Sequence, residues 1–513
     1  MLITLEGLFP DPAVHQLVRR QARHNQRIYL VGGCIRDLLL GHTSRDFDFV
    51  VGGDAIQVAR QIARELDAAF YILDDERNTG RVILQTSTGQ RYYLDFARMR
   101  GFQIEQDLKS RDFTVNAMAI DLLEEDRILD PLNGSLDLRK KILRACSEHS
   151  FEQDAVRVLR AIRLSMQLEF QIEKQTIQRL RSAVGLLPEF SIERQRDEFF
   201  KMLDGRQIHT AIDLMDRLGV LEVLIPELNQ TKGVQQTAPH TLPVWEHTLE
   251  TLRWLEELYQ LLVYGPEFIN GENLLVGMAS LALGRYRAEL QAHFSTSIHA
   301  ERSLRGLLFF TGLLHDIGKP LAQEVQDDGR IRFLNHDRYG AEMSEKIARR
   351  FALSNPEVER ITLLVKEHMR VHHLASTSNQ VSRRSIYRYF RELGESGVDL
   401  CLLSLADTLA TYGITIPPAQ WERELVICRQ LLESWFEKRA ETIAPPRLVS
   451  GDDLMNRFGL KPGPQLGRLL ENVREAQAAG QIHTVDEAFN LVESLLNDYS
   501  MGEGTENHGT EDG

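Results

Sequence analysis

Residues 29–51 read YLVGGCIRDLLLGHTSRDFDFVV, and no other stretch restricts the fold as much. A short apolar strand ends in Gly32-Gly33, a helix-like RDLLLG follows, and a second apolar run carries Asp46 and Asp48. Alternate residues of a strand share a face, so the two carboxylates project together. They stand beside a glycine turn that lets a phosphate approach the backbone. Such an arrangement suits a divalent metal holding a nucleoside triphosphate, and it requires a sheet near the N-terminus. The neighbouring pattern agrees. IYLVGG, FDFVVGG, AAFYIL, RVILQT and RYYLDFA are strand-like, and AIQVARQIARELDA at 55–68 has the apolar spacing of an amphipathic helix. Residues 12–26 have the look of an opening helix.

From about residue 150 almost everything has helical spacing. VRVLRAIRLSMQL, TIQRLRSAVGLL and ERQRDEFFKML repeat apolar residues three and four apart, with arginines between them. Segment 139–206 holds more Lys and Arg than Asp and Glu, against a net charge of −14 for the whole chain. That net charge argues against a surface built throughout for nucleic acid but leaves room for one basic face. Pro445-Pro446 marks a linker before a small helical unit, and the tail MGEGTENHGTEDG has a disordered composition. A chain of 513 residues exceeds one core. The expected divisions are a head at 1–148, a helical neck at 149–225, a helical domain at 226–440, a small helical tail domain at 441–498 and a disordered end at 499–513. Cys34, Cys146, Cys401 and Cys428 form no CxxC pair and read as reduced thiols of a cytoplasmic protein. The N-terminus lacks a signal-peptide pattern, and GLLFFTGLL at 306–314 is too short to span a bilayer, so no membrane partner is expected.

Further polar residues sit in apolar surroundings. Asp95 in RYYLDFAR needs a partner, either a metal shared with Asp46 and Asp48 or water at a sheet edge. Arg36 lies just inside the first helix, within reach of a phosphate oxygen. Arg111, Asp112 and Asn116 in LKSRDFTVNAMAIDL read as polar residues of an apolar helical run. Asp112 would cap that helix, or the three would edge a nucleotide pocket. DPLNGSLDL at 130–138 reads as a turn. Asp154 and Arg157 are three apart on a predicted helix, hence on one face. They form a surface ion pair or present hydrogen-bonding groups to a base. Arg160 and Arg163 continue a basic face.

Histidines and acids recur farther on: His247, His315-Asp316 in LLHDIGKP, His336, His368 and Asp407. Imidazole and carboxylate ligands on separate helices suit a divalent or transition metal. The order resembles the HD phosphohydrolase superfamily. That resemblance implies a first metal on His247, His315, Asp316 and Asp407, with His336 and His368 for a second ion or a phosphate. A helical body that merely supports RNA is the other reading.

GGxxRDLLLG, DxD, RDFTxNAMA, DPxxGxxDL and DxxRxLRAxR, in this order, resemble the class II tRNA nucleotidyltransferases and their bacterial poly(A) polymerase relatives. The resemblance is good over about 28–210 and looser beyond. It implies an α+β multi-domain chain: a polymerase-β-type nucleotidyltransferase head, then an all-helical neck, an HD-type body and a small helical tail. It further implies that Asp46 and Asp48 ligate magnesium and that Asp95 completes the set. Gly32, Gly33 and Arg36 would hold the triphosphate, and Arg111, Asp112 and Asn116 would contact sugar and phosphates. Asp154 and Arg157 would select C and then A without a nucleic-acid template, with Arg160 beside them. Gln153 stands where the family often has an acid. The implied activity is transfer of C and A from CTP and ATP to the tRNA 3′ end by two-metal in-line chemistry. One departure bears on it: only residues 96–110 separate Asp95 from Arg111, without proline, where complete CCA-adding members have a longer basic loop. Full CCA addition and CC-only addition with a separate A-adding partner therefore both stay open. A-only addition, poly(A) synthesis and HD phosphohydrolysis as the main activity are further alternatives.

Overall fold

The first 130 residues build one seven-stranded sheet. Its strands are β1 (Ile28–Val31), β2 (Asp46–Val51), β3 (Ala69–Asp74), β4 (Thr79–Gln85), β5 (Arg91–Arg98), β6 (Ala119–Asp121) and β7 (Glu124–Leu129). Their spatial order is β3-β4-β5-β2-β1-β6-β7. β2 and β5 run parallel and every other pair is antiparallel. These strands come from a computed structural model that describes residues 8–9, 12–24, 27–86, 89–265, 273–299, 302–377 and 380–502.

Alternation along β2 explains how the sheet holds a core and a site at once. Phe47 and Phe49 are buried while Asp46 and Asp48 open to solvent. Phe49 stacks on Phe96 of β5 with ring centres 4.7 Å apart, and the helix Ala55–Glu65 covers this face with Ala59 and Ile62. Asp54 caps that helix, its carboxylate accepting from the Gln57 amide at 3.0 Å.

Three local expectations change. The helical run predicted around Arg111–Ala117 is a single 3-10 turn, Thr114–Asn116, followed by β6. Leu30 of β1 pairs with Ile120, and the completely buried Met118–Ile120 stretch is worth more as a sheet member than as a helix. The 130–138 turn is real at its start, where Asp130 accepts from the amides of Gly134 and Ser135, but it opens into the helix Gly134–Arg139. Asp154 is extended (φ −158°, ψ 94°) and ends the short helix Ser150–Gln153, while Arg157 begins the helix Arg157–Leu168. The two are therefore not on one helical face.

By compactness the chain divides into Met1–Arg206 with Asp213–Leu224, and Gln207–Ile212 with Ile225–Gly513. The second unit is built on Val244–Tyr259, Leu304–Leu314, Ser396–Tyr412 and Pro418–Phe436. The stretch 396–415 is apolar and long enough to cross a membrane, but it is 83% buried, as a core helix is. Leu454, Leu469, Val473 and Val492 form a separate small core in the C-terminal helices. Arg388 pairs with Glu475 at 2.7 Å and Tyr387 donates to Glu471 at 2.9 Å, which ties those helices to Arg383–Leu393. The last helix, Val485–Gly502, runs into the segment expected to be disordered from 499, so 499–502 are helical. The remainder of that segment lies outside the described residues.

Candidate functional site

In the head, strand register brings the acids together. Asp48 pairs with Val31 of β1 on one side and with Asp95 of β5 on the other, and Asp46 lies two residues before it on the same face. Gly32 follows β1 directly with φ 86°, ψ −147°, a conformation essentially confined to glycine, and precedes the helix Gly33–Leu40. Asp48 keeps an open edge to solvent but is crowded by protein. That burial raises its carboxyl above the usual range, and Asp95 and Asp46 reinforce the effect while Arg111 and Arg160 oppose it. Clustered carboxylates with a raised pKa beside a bare glycine fit a divalent cation. Asp95, however, already has a partner. Both its oxygens accept from Arg81 of β4, each at 2.8 Å. Arg81 is one partner of this half-buried acid, and its place directly across the strand pair follows from the β4–β5 register.

A hydrogen-bonded chain leads away from this cluster. Arg36 donates to Asn116 at 2.8 Å, Asn116 to Asp112 at 3.3 Å, and Arg160 meets Asp112 at 2.6 Å. Burial would raise the Asp112 carboxyl, but Arg160, the Phe113 amide and Asn116 outweigh it and hold the group low. Asp112 is thus a charged junction at the edge of a recess and not a helix cap, the other of its two readings. Beyond it lies a recess of about 420 Å³ whose wall includes Arg98, Arg111, Asp154, Arg157, Arg160 and Arg194. Asp154 takes a contact from Arg194 at 2.6 Å and from the Val156 amide at 3.3 Å. Arg157 sits 4.0 Å from Asp154 and spends its donors on backbone: the carbonyls of Ser110 (2.9 Å), Ser150 (3.0 Å) and Arg111 (3.3 Å). Arg163 pairs with Glu198 at 2.7 Å. Sequence reasoning missed Arg194 because it lies forty residues from its partner and no local spacing announces the pair.

In the helical body all six predicted residues converge. His247 Nε2 lies 3.0 Å from Asp407 and 3.5 Å from Asp316, and His315 Nε2 lies 3.3 Å from Asp316. His336 and His368 approach the other oxygen of Asp316 at 3.6 and 3.8 Å. Two triplets with the geometry of a metal site result, His247/His315/Asp316 and Asp316/His336/His368. Asp316 belongs to both. The Nδ1 atoms of His315, His336 and His368 each meet a backbone carbonyl, of Gly312 (2.8 Å), Phe333 (2.8 Å) and Val365 (2.7 Å). A carbonyl only accepts, so each Nδ1 carries a proton, and the ring in its neutral form turns an Nε2 lone pair inward. Burial, with His336 adding to it, pushes His368 down to about 3, so it stays neutral as a ligand must. This donor set fits a divalent or transition metal. Three residues were not foreseen. Lys319 places its ammonium 2.6 Å from Asp316, and His372 bridges Asp407 (2.9 Å) and Glu424 (3.3 Å). Lys319 stands in the HDIGKP stretch and could have been read there; His372 and Glu424 are brought in by packing alone.

The family described as poly A polymerase head domain matches residues 28–144, and the HD domain family matches 244–412. A model described as probable RNA and SrmB-binding site of polymerase A matches 169–231, and tRNA nucleotidyltransferase domain 2 matches 444–492. The chain is 34% identical over 465 residues to the A-adding tRNA nucleotidyltransferase of Deinococcus radiodurans, covering 90% of this chain and 93% of that one. It is 31% identical over 471 residues to the CC-adding tRNA nucleotidyltransferase of Thermus thermophilus, covering 89% and 91%. Among solved structures, a CCA-adding enzyme in complex with ATP superposes with a TM-score of 0.62 at 22% identity, over 96% of this chain and 97% of that one, which is a likeness of fold.

Proposed function

The chain belongs to the tRNA nucleotidyltransferases, and from that premise we propose that it adds one part of the CCA sequence to the tRNA 3′ end. That part is either C residues from CTP or the terminal A from ATP. The observation that carries the choice is the connection from Asp95 to Arg111. It is short, and Gly101 (φ 84°) and Gln106 tie it down, Gln106 accepting from the Phe102 amide at 2.8 Å. A connection of this kind leaves little length to reshape the recess between one nucleotide and the next. The D. radiodurans relative is an A-adding and the T. thermophilus relative a CC-adding tRNA nucleotidyltransferase, which supports the same reading. A second enzyme would then supply the remaining nucleotides.

This family normally uses a divalent metal. Held by Asp46 and Asp48 with Asp95 alongside, magnesium would supply the Lewis acidity that lowers the pKa of the RNA 3′-hydroxyl and stabilises charge at the α-phosphate. The chain's own residues do the rest. Gly32 and Gly33 let the triphosphate approach the backbone, and Arg36 and Arg111 neutralise its oxygens. Asp154 accepts from the exocyclic amine that C and A share and that U lacks. Arg194 holds the Asp154 carboxylate in place for that contact, and Arg157 holds the neck against the 108–112 backbone.

The test is single-nucleotide extension of tRNA transcripts ending before CCA, after C and after CC, with magnesium and CTP, ATP or both. Extension that stops at CC, or A added only after CC, is the expected result. A complete CCA on the shortest transcript overturns partial addition. Loss of all incorporation in a folded Asp46→Ala variant supports the head assignment, and wild-type incorporation by that variant overturns it.

A second activity is favoured by the two histidine triplets that share Asp316. They suit metal-dependent hydrolysis of a phosphomonoester or cyclic phosphodiester in the helical body, independent of Asp46.

A further inference from the structure

Phe102 is 94% exposed, the most exposed of the large apolar residues described. It sits at the tip of the turn that follows β5, the strand carrying Asp95. An isolated apolar side chain on a surface needs no explanation in itself. Here the surrounding backbone is built to hold the ring out. Gly101 has φ 84°, and a Cβ there would come 2.2 Å from Oε1 of Gln106. That same oxygen accepts from the Phe102 amide at 2.8 Å. Two residues earlier the Arg100 amide donates to Asp107 at 3.1 Å, and Asp107 is in turn paired with Arg111 at 3.1 Å. The turn is fastened at both ends to the helix Ile104–Lys109, leaving the phenyl ring without a packing role.

Its surroundings indicate a ligand class. Arg98 and Arg100, on the same segment, are exposed and belong to the wall of the arginine-lined recess. An exposed aromatic face on the same short segment as two arginines of the recess is the chemistry that captures an unpaired nucleobase, with phosphates on the arginines and the base on the ring. Phe102 lies seven positions beyond Asp95, a reach of at most about 25 Å, which a few nucleotides of single strand span. We propose that Phe102 is a stacking platform for an unpaired base of the RNA acceptor end and so positions the 3′-terminus at the carboxylates. The inference rests on the reading of the head as the site of tRNA extension.

The test measures incorporation and RNA affinity for wild-type protein and for Phe102→Ala, Phe102→Leu and Phe102→Trp, with a tRNA transcript as acceptor. Alanine is expected to raise KM and Kd for the RNA roughly 5- to 100-fold while KM for the nucleotide stays unchanged. Leucine, apolar but not aromatic, is expected to behave like alanine, and tryptophan like wild type. Fluorescence of Phe102→Trp in excess of wild type is expected to be quenched when the RNA binds. Unchanged RNA affinity in Phe102→Ala, full rescue by leucine, or a rise in KM for the nucleotide alone each overturns the platform while leaving the proposed function standing. Absence of incorporation by the wild-type protein overturns the proposed function and the platform with it.

Discussion

Gly32 stands against the carboxylate of Asp48: a Cβ on the glycine would come 2.9 Å from Oδ2 and 3.4 Å from a guanidinium nitrogen of Arg111. Neither neighbour is free to retreat, since one is the proposed cation ligand and the other its electrostatic partner. Gly32→Ala therefore displaces the chemistry more than the fold. The backbone strain is about 1–3 kcal/mol. The expected outcome is a loss of at least about tenfold in kcat/KM for nucleotide, with a thermal midpoint lowered by only a few degrees. Steady-state kinetics and thermal melts of the purified variant check both halves.

Arg157 and Arg194 divide what the resemblance would give to one arginine. Because Arg157 satisfies carbonyls of Ser110, Arg111 and Ser150, Arg157→Ala leaves three part-buried acceptors unpaired, at about 1 kcal/mol for each group. Denaturant melts should show a clear loss of stability. Arg194→Ala touches only the exposed side of Asp154 and should leave stability within about 1 kcal/mol of wild type. Its effect belongs instead in the ratio of kcat/KM values for CTP and ATP against UTP.

One carboxylate serves both histidine triplets, so they should fail together. Asp316→Asn is expected to abolish binding of added manganese or nickel to the helical body at every site, whereas His368→Ala should remove one class of site and spare the other. Calorimetric titration reads the stoichiometry directly. Neither substitution should alter nucleotide incorporation by more than about twofold, which separates this centre from Asp46.

A pH dependence of stability follows from Asp399. It is fully buried and contacts Arg360 at 2.8 Å and His293 at 2.5 Å. Burial would raise its carboxyl, but Arg360 and His293 prevail and hold it below the usual range. A depressed folded-state pKa contributes stability that is fully present above the unfolded value, about 3.9, and is lost as pH falls through the folded one. Asp399→Asn should cost about 1–3 kcal/mol near neutrality, since Arg360 loses its buried partner but keeps Glu395 at 2.7 Å. It should also flatten the decline in stability below about pH 4. Urea melts between pH 3 and 7 would reveal a parallel, unflattened curve if the pair carries no such linkage.

What local pattern determines was legible in the chain. Period-two alternation located β1 to β5, and the spacing of Asp46 and Asp48 placed both on the open face opposite Phe47 and Phe49. His315-Asp316 and its distant partners were identifiable because their residue types and order resemble the HD phosphohydrolase pattern, although a single histidine on an apolar helix is more often a packed core residue. Failures came where a distant element decides. β6 exists because β1 offers it an edge, so Met118–Ile120 abandons its helical spacing. Asp154 leaves its helix. Arg81, Arg194, His372 and Glu424 acquire their meaning from partners that only the folded chain brings near. Asp95 shows the limit best: the need for a partner could be argued from apolar neighbours, but Arg81 as one such partner is supplied across the strand pair.

Lys319 gives the helical body a property of a different order. Its ammonium, 2.6 Å from Asp316, is a counter-charge encoded in the chain itself. A buried acid facing only neutral imidazoles would depend on an outside ion for electrical balance, and the surrounding helices with it. With a lysine in reach, shape and chemistry are uncoupled. The architecture around the carboxylate can therefore persist whether or not a metal is bound there.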